Sequence, residues 1–163
     1  MPLYIYRAKT HKHTKISGTF YAPNIDGLYA HLQSKHYILI HYRTQWAWKI
    51  LNPVKDHDLK EWAHMMHFLI KNNITLKDTI YLVAQETSNP TLQETLYHLA
   101  YDLEQGSTIH DALQKHERIL KPITIICLGM AEKTGNLVHS FERLHDYFTH
   151  HIKMKERLWS ALR

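Results

Sequence analysis

One cysteine, five glycines and five prolines in 163 residues leave little room for several kinds of chemistry. Cys127 alone excludes an internal disulfide and any multi-cysteine zinc site. It lies in the most apolar run of the chain, Ile123 to Met130, where it reads as core packing, and burial there raises a thiol pKa and blunts its reactivity. Glycines at 18, 27, 106, 129 and 135 are too scattered for a phosphate loop or a dinucleotide fingerprint. There is no Gly-x-Ser-x-Gly elbow and no His-Glu-x-x-His zinc protease signature. No window approaches the run of about 18 apolar residues that a membrane-spanning helix requires. The start, Met-Pro-Leu-Tyr-Ile-Tyr-Arg, lacks the apolar core of a secretory signal, so the sequence reads as a cytoplasmic piece. Long charge runs are missing too. The formal charge is +5, and its 20 Lys and Arg are dispersed, apart from Lys9, Lys12 and Lys15 with His11 and His13 in an expected loop, which argues against a nucleic-acid partner.

What is present is enough apolar material, 44% of residues, for a folded domain with a small appendage. Residues 3–22 favour extended structure, with Leu3, Tyr4, Ile5 and Tyr6, a polar turn around His11 to Lys15 and then Ile16 to Tyr21, which predicts a hairpin. Asn24 or Asp26 can cap a short helix through Leu28, Tyr29 and Leu32, and Tyr37 to Tyr42 reads as a further strand. Residues 1–52 therefore form a small α/β unit, with Pro53 and its polar neighbours as a linker.

From residue 57 to 163 the period changes to that of helices. Leu59, Trp62, Ala63, Met66, Leu69 and Ile70 share one arc, with Asp56 or Asp58 as cap and Asn72-Asn73 as stop. Thr75 caps a second helix to Glu86, and Asn89-Pro90 starts a third that carries Leu92, Leu96, Leu99 and Leu103. Ser107 or Thr108 caps a fourth to His116, Pro122 opens a fifth, and the sixth runs from Leu137 to the end. The expected fold class is mainly α: a six-helix bundle of antiparallel helices behind a small N-terminal α/β unit.

Fifteen histidines raise the question of metal. Two Glu-x-x-His pairs, Glu61 with His64 and Glu142 with His145, have the spacing used by di-iron bundles. At 100° per residue both pairs turn away from the apolar arcs of their helices, so they are not expected to converge in a core. A metal-binding bundle enzyme is thus the rival reading. No catalytic residue, cofactor or resident metal is expected, with Glu132, Glu142 and Asp146 as the acidic candidates for a cation between copies. Phe68 falls outward near Met65, and the fifth helix has more apolar circumference than one neighbour covers, so Met65 and Phe68 are the candidate interaction surface.

The joint between the last two helices reads Ala131-Glu132-Lys133-Thr134-Gly135-Asn136-Leu137, with Gly135 and Asn136 able to take positive φ and fold the helices into a hairpin. An apolar helix, this turn and then Phe141-Glu142-Arg143-Leu144-His145-Asp146-Tyr147 resemble the cytoplasmic domain of the type II secretion system protein F and type IV pilus inner-membrane platform family. That family shows Gly-Glu-x-Ser-Gly-x-Leu and Leu-x-Arg-Leu-x-x-Tyr at these places, and here Ala131 replaces its Gly and Thr134 its Ser. Gly106-Ser107-Thr108-Ile109-His110-Asp111-Ala112-Leu113 is similar to its Gly-x-Ser-Leu-x-x-Ala-Leu segment with one position closed up. Ile119-Leu120-Lys121-Pro122 stands where the family has Phe-Pro. The likeness runs through residues 57–163 and, more loosely, through Tyr4, Tyr6, Ala8, Gly18, Ala22 and Leu32.

The resemblance implies a non-enzymatic scaffold on the cytoplasmic face of the bacterial inner membrane. It implies an assembly or secretion ATPase, other inner-membrane components and further copies of the chain as partners, the last as a weak homodimer. Residues 57–163 would be the first copy of a repeated domain. The apolar face of the last helix with Lys153, Lys155, Arg157, Trp159 and Arg163 suits the edge of a bilayer, so a membrane span is expected after Arg163.

Overall fold

The computed structural model describes residues 2–45 and 52–162, and the chain divides into two compact units, residues 1–50 and 51–163. Arg163, part of the basic set near the end of the chain, lies outside the described residues.

In the first unit β1 (Leu3–Lys9) and β2 (Lys15–Tyr21) form the expected antiparallel hairpin. Its turn is closed by the Thr10 amide donating to the Thr14 carbonyl at 3.0 Å. Asn24 caps α1 (Ile25–Ser34) by accepting from the Gly27 amide at 3.0 Å. The chain then returns as β3 (Ile38–Gln45) along the free edge of β1, giving the order β2-β1-β3. A bulge opposite Arg7 and Ala8 interrupts that pairing. Tyr4, Tyr6, Ala8 and Phe20 are buried together with Leu28 and Leu32 of α1. His31 of α1 stacks on Phe20 at 3.8 Å, and burial pushes its pKa down to about 4.

The second unit holds α2 (Asp56–Lys71), α3 (Leu76–Glu86), α4 (Pro90–Glu104), α5 (Ile109–Gln114), α6 (Glu117–Leu120), α7 (Pro122–Thr134) and α8 (Leu137–Ala161). The expected caps carry most of these boundaries. Thr75, Asn89 and Thr108 each accept from an amide of the first turn that follows, and Pro90 occupies the first position of α4. The start of α2 departs from expectation: Asp58 reaches back to accept from the Lys55 amide at 2.8 Å, while Asp56 is buried inside the first turn. The single turn α6 adds a seventh helix to the six read from the sequence. It cannot run on into α7, because the ring of Pro122 bars the preceding residue from the α region. Lys121 lies between the two helices at φ 70°, ψ 147°, a positive φ that the proline ring does not itself require.

Residue pairs fix the direction in which α8 lies on α2. His67 meets the Val138 carbonyl, His145 the Lys60 carbonyl and Lys155 the Asp56 carboxylate. The two helices are therefore antiparallel along most of α2, and α8 packs on α2 more extensively than on α7, its neighbour in sequence. Their seam is Leu59, Trp62, Ala63 and Met66 against Phe141, Leu144 and Phe148, all buried, with Trp62 edge-on to Phe141 at 5.6 Å. Each large side chain in that seam contributes roughly 1.5–3 kcal/mol of transfer free energy.

Candidate functional site

The α7–α8 joint is built by its own residues. Gly135 has φ 71° and donates its amide to the Ala131 carbonyl, Asn136 adds a bond to the same carbonyl at 3.2 Å, and Leu137 opens α8. Asn136 keeps a negative φ, so the glycine alone supplies the left-handed residue. Thr134 turns its hydroxyl back to the Met130 carbonyl at 3.2 Å. Glu132 reaches away from the hairpin: its Oε1 accepts from the Ile109 amide at 2.8 Å and its Oε2 from the His110 amide at 3.2 Å. Both carboxylate oxygens thus hold the otherwise unpaired amides at the start of α5, where negative charge is favoured. Packing is equally close on this side of α7, since a Cβ on Gly129 would stand 2.8 Å from the His110 ring.

The other acidic candidates lie at the surface. Glu142 pairs with His139 at 2.9 Å, Asp146 is exposed, and Glu61 pairs with His57 at 3.6 Å. His64 and His145, one from each Glu-x-x-His pair, do meet, with ring centres 5.0 Å apart, at a surface cavity that Glu61 and Glu86 also line. This is an open groove edge rather than a bundle core. Among the described residues no group of three or more His, Cys, Asp or Glu stands where it could hold a metal ion.

Met65 and Phe68 line an apolar cavity of about 530 Å³ between α2 and α3, whose far wall is Leu82 and Val83 and whose floor includes Leu69. Phe68 is 60% exposed and Leu82 44% exposed. Only His64, Gln85 and Glu86 bring polar groups to its rim. On α7, Ile126 and Met130 are likewise exposed, opposite a buried face of Thr124, Ile125, Leu128 and Ala131. Cys127 flanks those faces and is half-buried rather than fully packed, which still raises its thiol pKa.

One cluster was not anticipated. The Asp56 side chain is 7% exposed and meets two ammonium groups, Lys121 Nζ and Lys155 Nζ at 2.7 Å, with the His151 ring Nδ1 at 3.1 Å. Burial pushes the Asp56 pKa up, but the hydrogen bonds and charges of Lys121 and Lys155 more than reverse this and hold it at about 2. The ammonium of Lys121 also lies 5.9 Å over the Phe148 ring, so the side chain of the strained residue is fixed from two directions. The sequence did carry a trace of this. Asp56 falls on the 3-4 repeat of Leu59, Ala63, Met66 and Ile70, and Lys155 seven residues after Phe148, so a carboxylate and an ammonium each occupy a position on an apolar column. Among the described residues no helix is long and apolar enough to cross a membrane.

Comparison with known proteins fits this architecture. Residues 62–163 match the family model described as type II secretion system (T2SS), protein F. The chain is 22% identical to the type IV pilus assembly protein PilC of Myxococcus xanthus over 98% of its own length and 40% of that protein. It is 24% identical to type II secretion system protein F of Vibrio cholerae over 67% of itself and 27% of that protein. It is 28% identical to the protein transport protein HofC homolog of Escherichia coli over 63% and 26%. The chain thus spans two-fifths or less of the curated relatives it matches. With more than half of its residues covered by the family model, this chain belongs to the type II secretion system protein F family.

Proposed function

We propose that the chain is a non-enzymatic scaffold domain on the cytoplasmic face of the inner membrane, within a machine of the type II secretion or type IV pilus kind. In this reading it docks the assembly ATPase and other inner-membrane components and pairs weakly with a second copy of itself. The observation that carries the reading is the apolar cavity of Met65, Phe68, Leu69, Leu82 and Val83, which has the size and composition of a contact surface and lacks converging reactive groups. The family's printed functions, secretion and pilus assembly, call for such contacts. Membership of an inner-membrane machine also accords with the exposed Met154, Leu158, Trp159 and Leu162 among the basic residues of α8.

Light scattering across a concentration series tests self-association. The expected result is a weak dimer that Phe68→Ser converts to monomer without loss of stability; a wild-type chain still monomeric at millimolar concentration overturns this part. Co-purification of the ATPase encoded with the same machine tests the docking, with retention on the wild-type chain and loss on Phe68→Ser expected. Turnover of ATP by the isolated chain would overturn the scaffold reading.

A further inference from the structure

The charge of this chain is concentrated in its first unit. Residues 1–50 hold seven Lys or Arg against a single acid, Asp26, a formal +6, while the whole chain is +5, so the helical unit is close to neutral. Strand register shows where that charge stands. Tyr4, Tyr6 and Ala8 are buried on the side of α1, so Ile5, Arg7 and Lys9 lie on the opposite face of β1. Cross-strand pairing adds Thr19, Ser17 and Lys15 from β2 and Arg43, His41 and Ile38 from β3 to the same face. Arg7, Lys15, His41 and Arg43 are exposed and Lys9 is half-buried. Among the described residues Arg7, Lys9, Lys15 and Arg43 are in no ion pair, and Asp26 sits on α1, behind the sheet. With strands about 4.8 Å apart and same-face residues about 6.8 Å apart, the four Lys and Arg positions fall within about 17 Å. Lys12 extends the positive region at the β1–β2 turn.

We propose that this sheet face rests on the anionic headgroups of a bilayer. The inference depends on the reading of the chain as part of a membrane machine. Side chains of a sheet stand perpendicular to it, so these cations form one plane, separated by the short Ser17 and Thr19 and accompanied by the exposed Ile5 and Ile38. A plane of charge matches a plane of headgroups. A single-stranded nucleic acid, by contrast, needs rings on which bases stack, and the described part of this face offers only the imidazole of His41.

The test is sedimentation of the 163-residue chain with vesicles of phosphatidylcholine alone, or with about one third phosphatidylglycerol, at low and at physiological salt. Expected is a preference for the anionic vesicles that weakens with salt. Arg7→Glu with Arg43→Glu should lower partitioning by at least about twenty-five-fold, at about five-fold for each basic residue removed from the surface. The milder Arg7→Gln with Arg43→Gln should approach the same loss while preserving the fold, checked by circular dichroism. Lys77→Glu with Arg143→Glu makes the same change of net charge on the helical unit and should retain most binding. Equal binding to neutral vesicles, equal loss in the two charge-reversed pairs, or tighter binding of single-stranded DNA through Arg7 and Arg43 would each overturn the proposal. Failure of the scaffold reading is seen separately, in the ATPase and self-association measurements.

Discussion

Replacing Asp56 by Asn should destabilise the helical unit in a way that depends on pH with a definite sign. The carboxyl is held at about 2 instead of 3.8, which corresponds to about 2–3 kcal/mol at neutral pH. Its two lysine partners are 33% and 53% exposed, so solvent screens the pairs and the retained contribution is about 1–2 kcal/mol. Asn removes that contribution and leaves the Lys121 and Lys155 ammonium groups close together without their counter-charge, for a total cost of about 1–3 kcal/mol. Because the folded-state pKa is depressed, the stabilisation is fully present above about pH 4 and is lost as pH falls through about 2. Urea unfolding of wild type and Asp56→Asn at pH 7, 5, 3 and 2 measures the difference, with the slope confirming that both unfold alike. The gap should be present at pH 7 and close toward pH 2. Equal midpoints at pH 7, or a gap that persists unchanged at pH 2, would refute the assignment of Asp56 as an ionised tie between α2, Lys121 and α8.

Gly135→Val should cost roughly 1–3 kcal/mol, because the space around its Cβ is open and only the positive φ opposes the side chain; Gly135→Asn should cost less, and thermal melts compare them. Glu132→Ala should cost about 1–2 kcal/mol and speed hydrogen exchange most at the Ile109 and His110 amides, whereas uniform acceleration across the unit would argue against a local cap. Burial lowers the pKa of His98 to about 4 and that of His116 in the same direction, so both fold best when neutral. The stabilisation from His98 is complete above pH 6.5 and is lost as pH falls toward 4, and that from His116 falls in the same direction. His98→Gln should flatten the wild-type decline in stability across that window, measured by denaturant titration.

Local chemistry was legible because its partners are close in sequence. Asn24, Thr75, Asn89, Pro90, Thr108 and Gly135 mark their boundaries with atoms that act within four residues, and the structure keeps each boundary. The outward placement of Phe68 followed from helical period alone, and its exposure agrees. What could not be read depends on partners far along the chain. Glu132 spends its carboxylate on α5, 23 and 22 residues upstream, and nothing in the turn itself announces that acceptor role. Asp56 looked like one of two caps because its cations are 65 and 99 residues away. His64 and His145 point out of their own helices, as the period required, yet meet because α2 and α8 lie side by side. The one-turn α6 is too short to show a period, and its end is set by the backbone clash at Pro122.

The pairing of α2 with α8 also bears on the order in which this unit assembles. Between them lie α3 to α7, whose packing pairs α3 with α4 and α5 with α7 over modest sequence separations, while Lys60 and His145 are joined across 85 residues. Closing a loop of that length costs about 2 kcal/mol more entropy than closing one of ten residues. The middle of the bundle can therefore gather early, and the first and last helices come together as the late clasp. Until they do, Trp62 and Phe141 each lack the other as cover and Asp56 lacks its salt partners on α8, so substitutions along this seam should show themselves chiefly as faster unfolding.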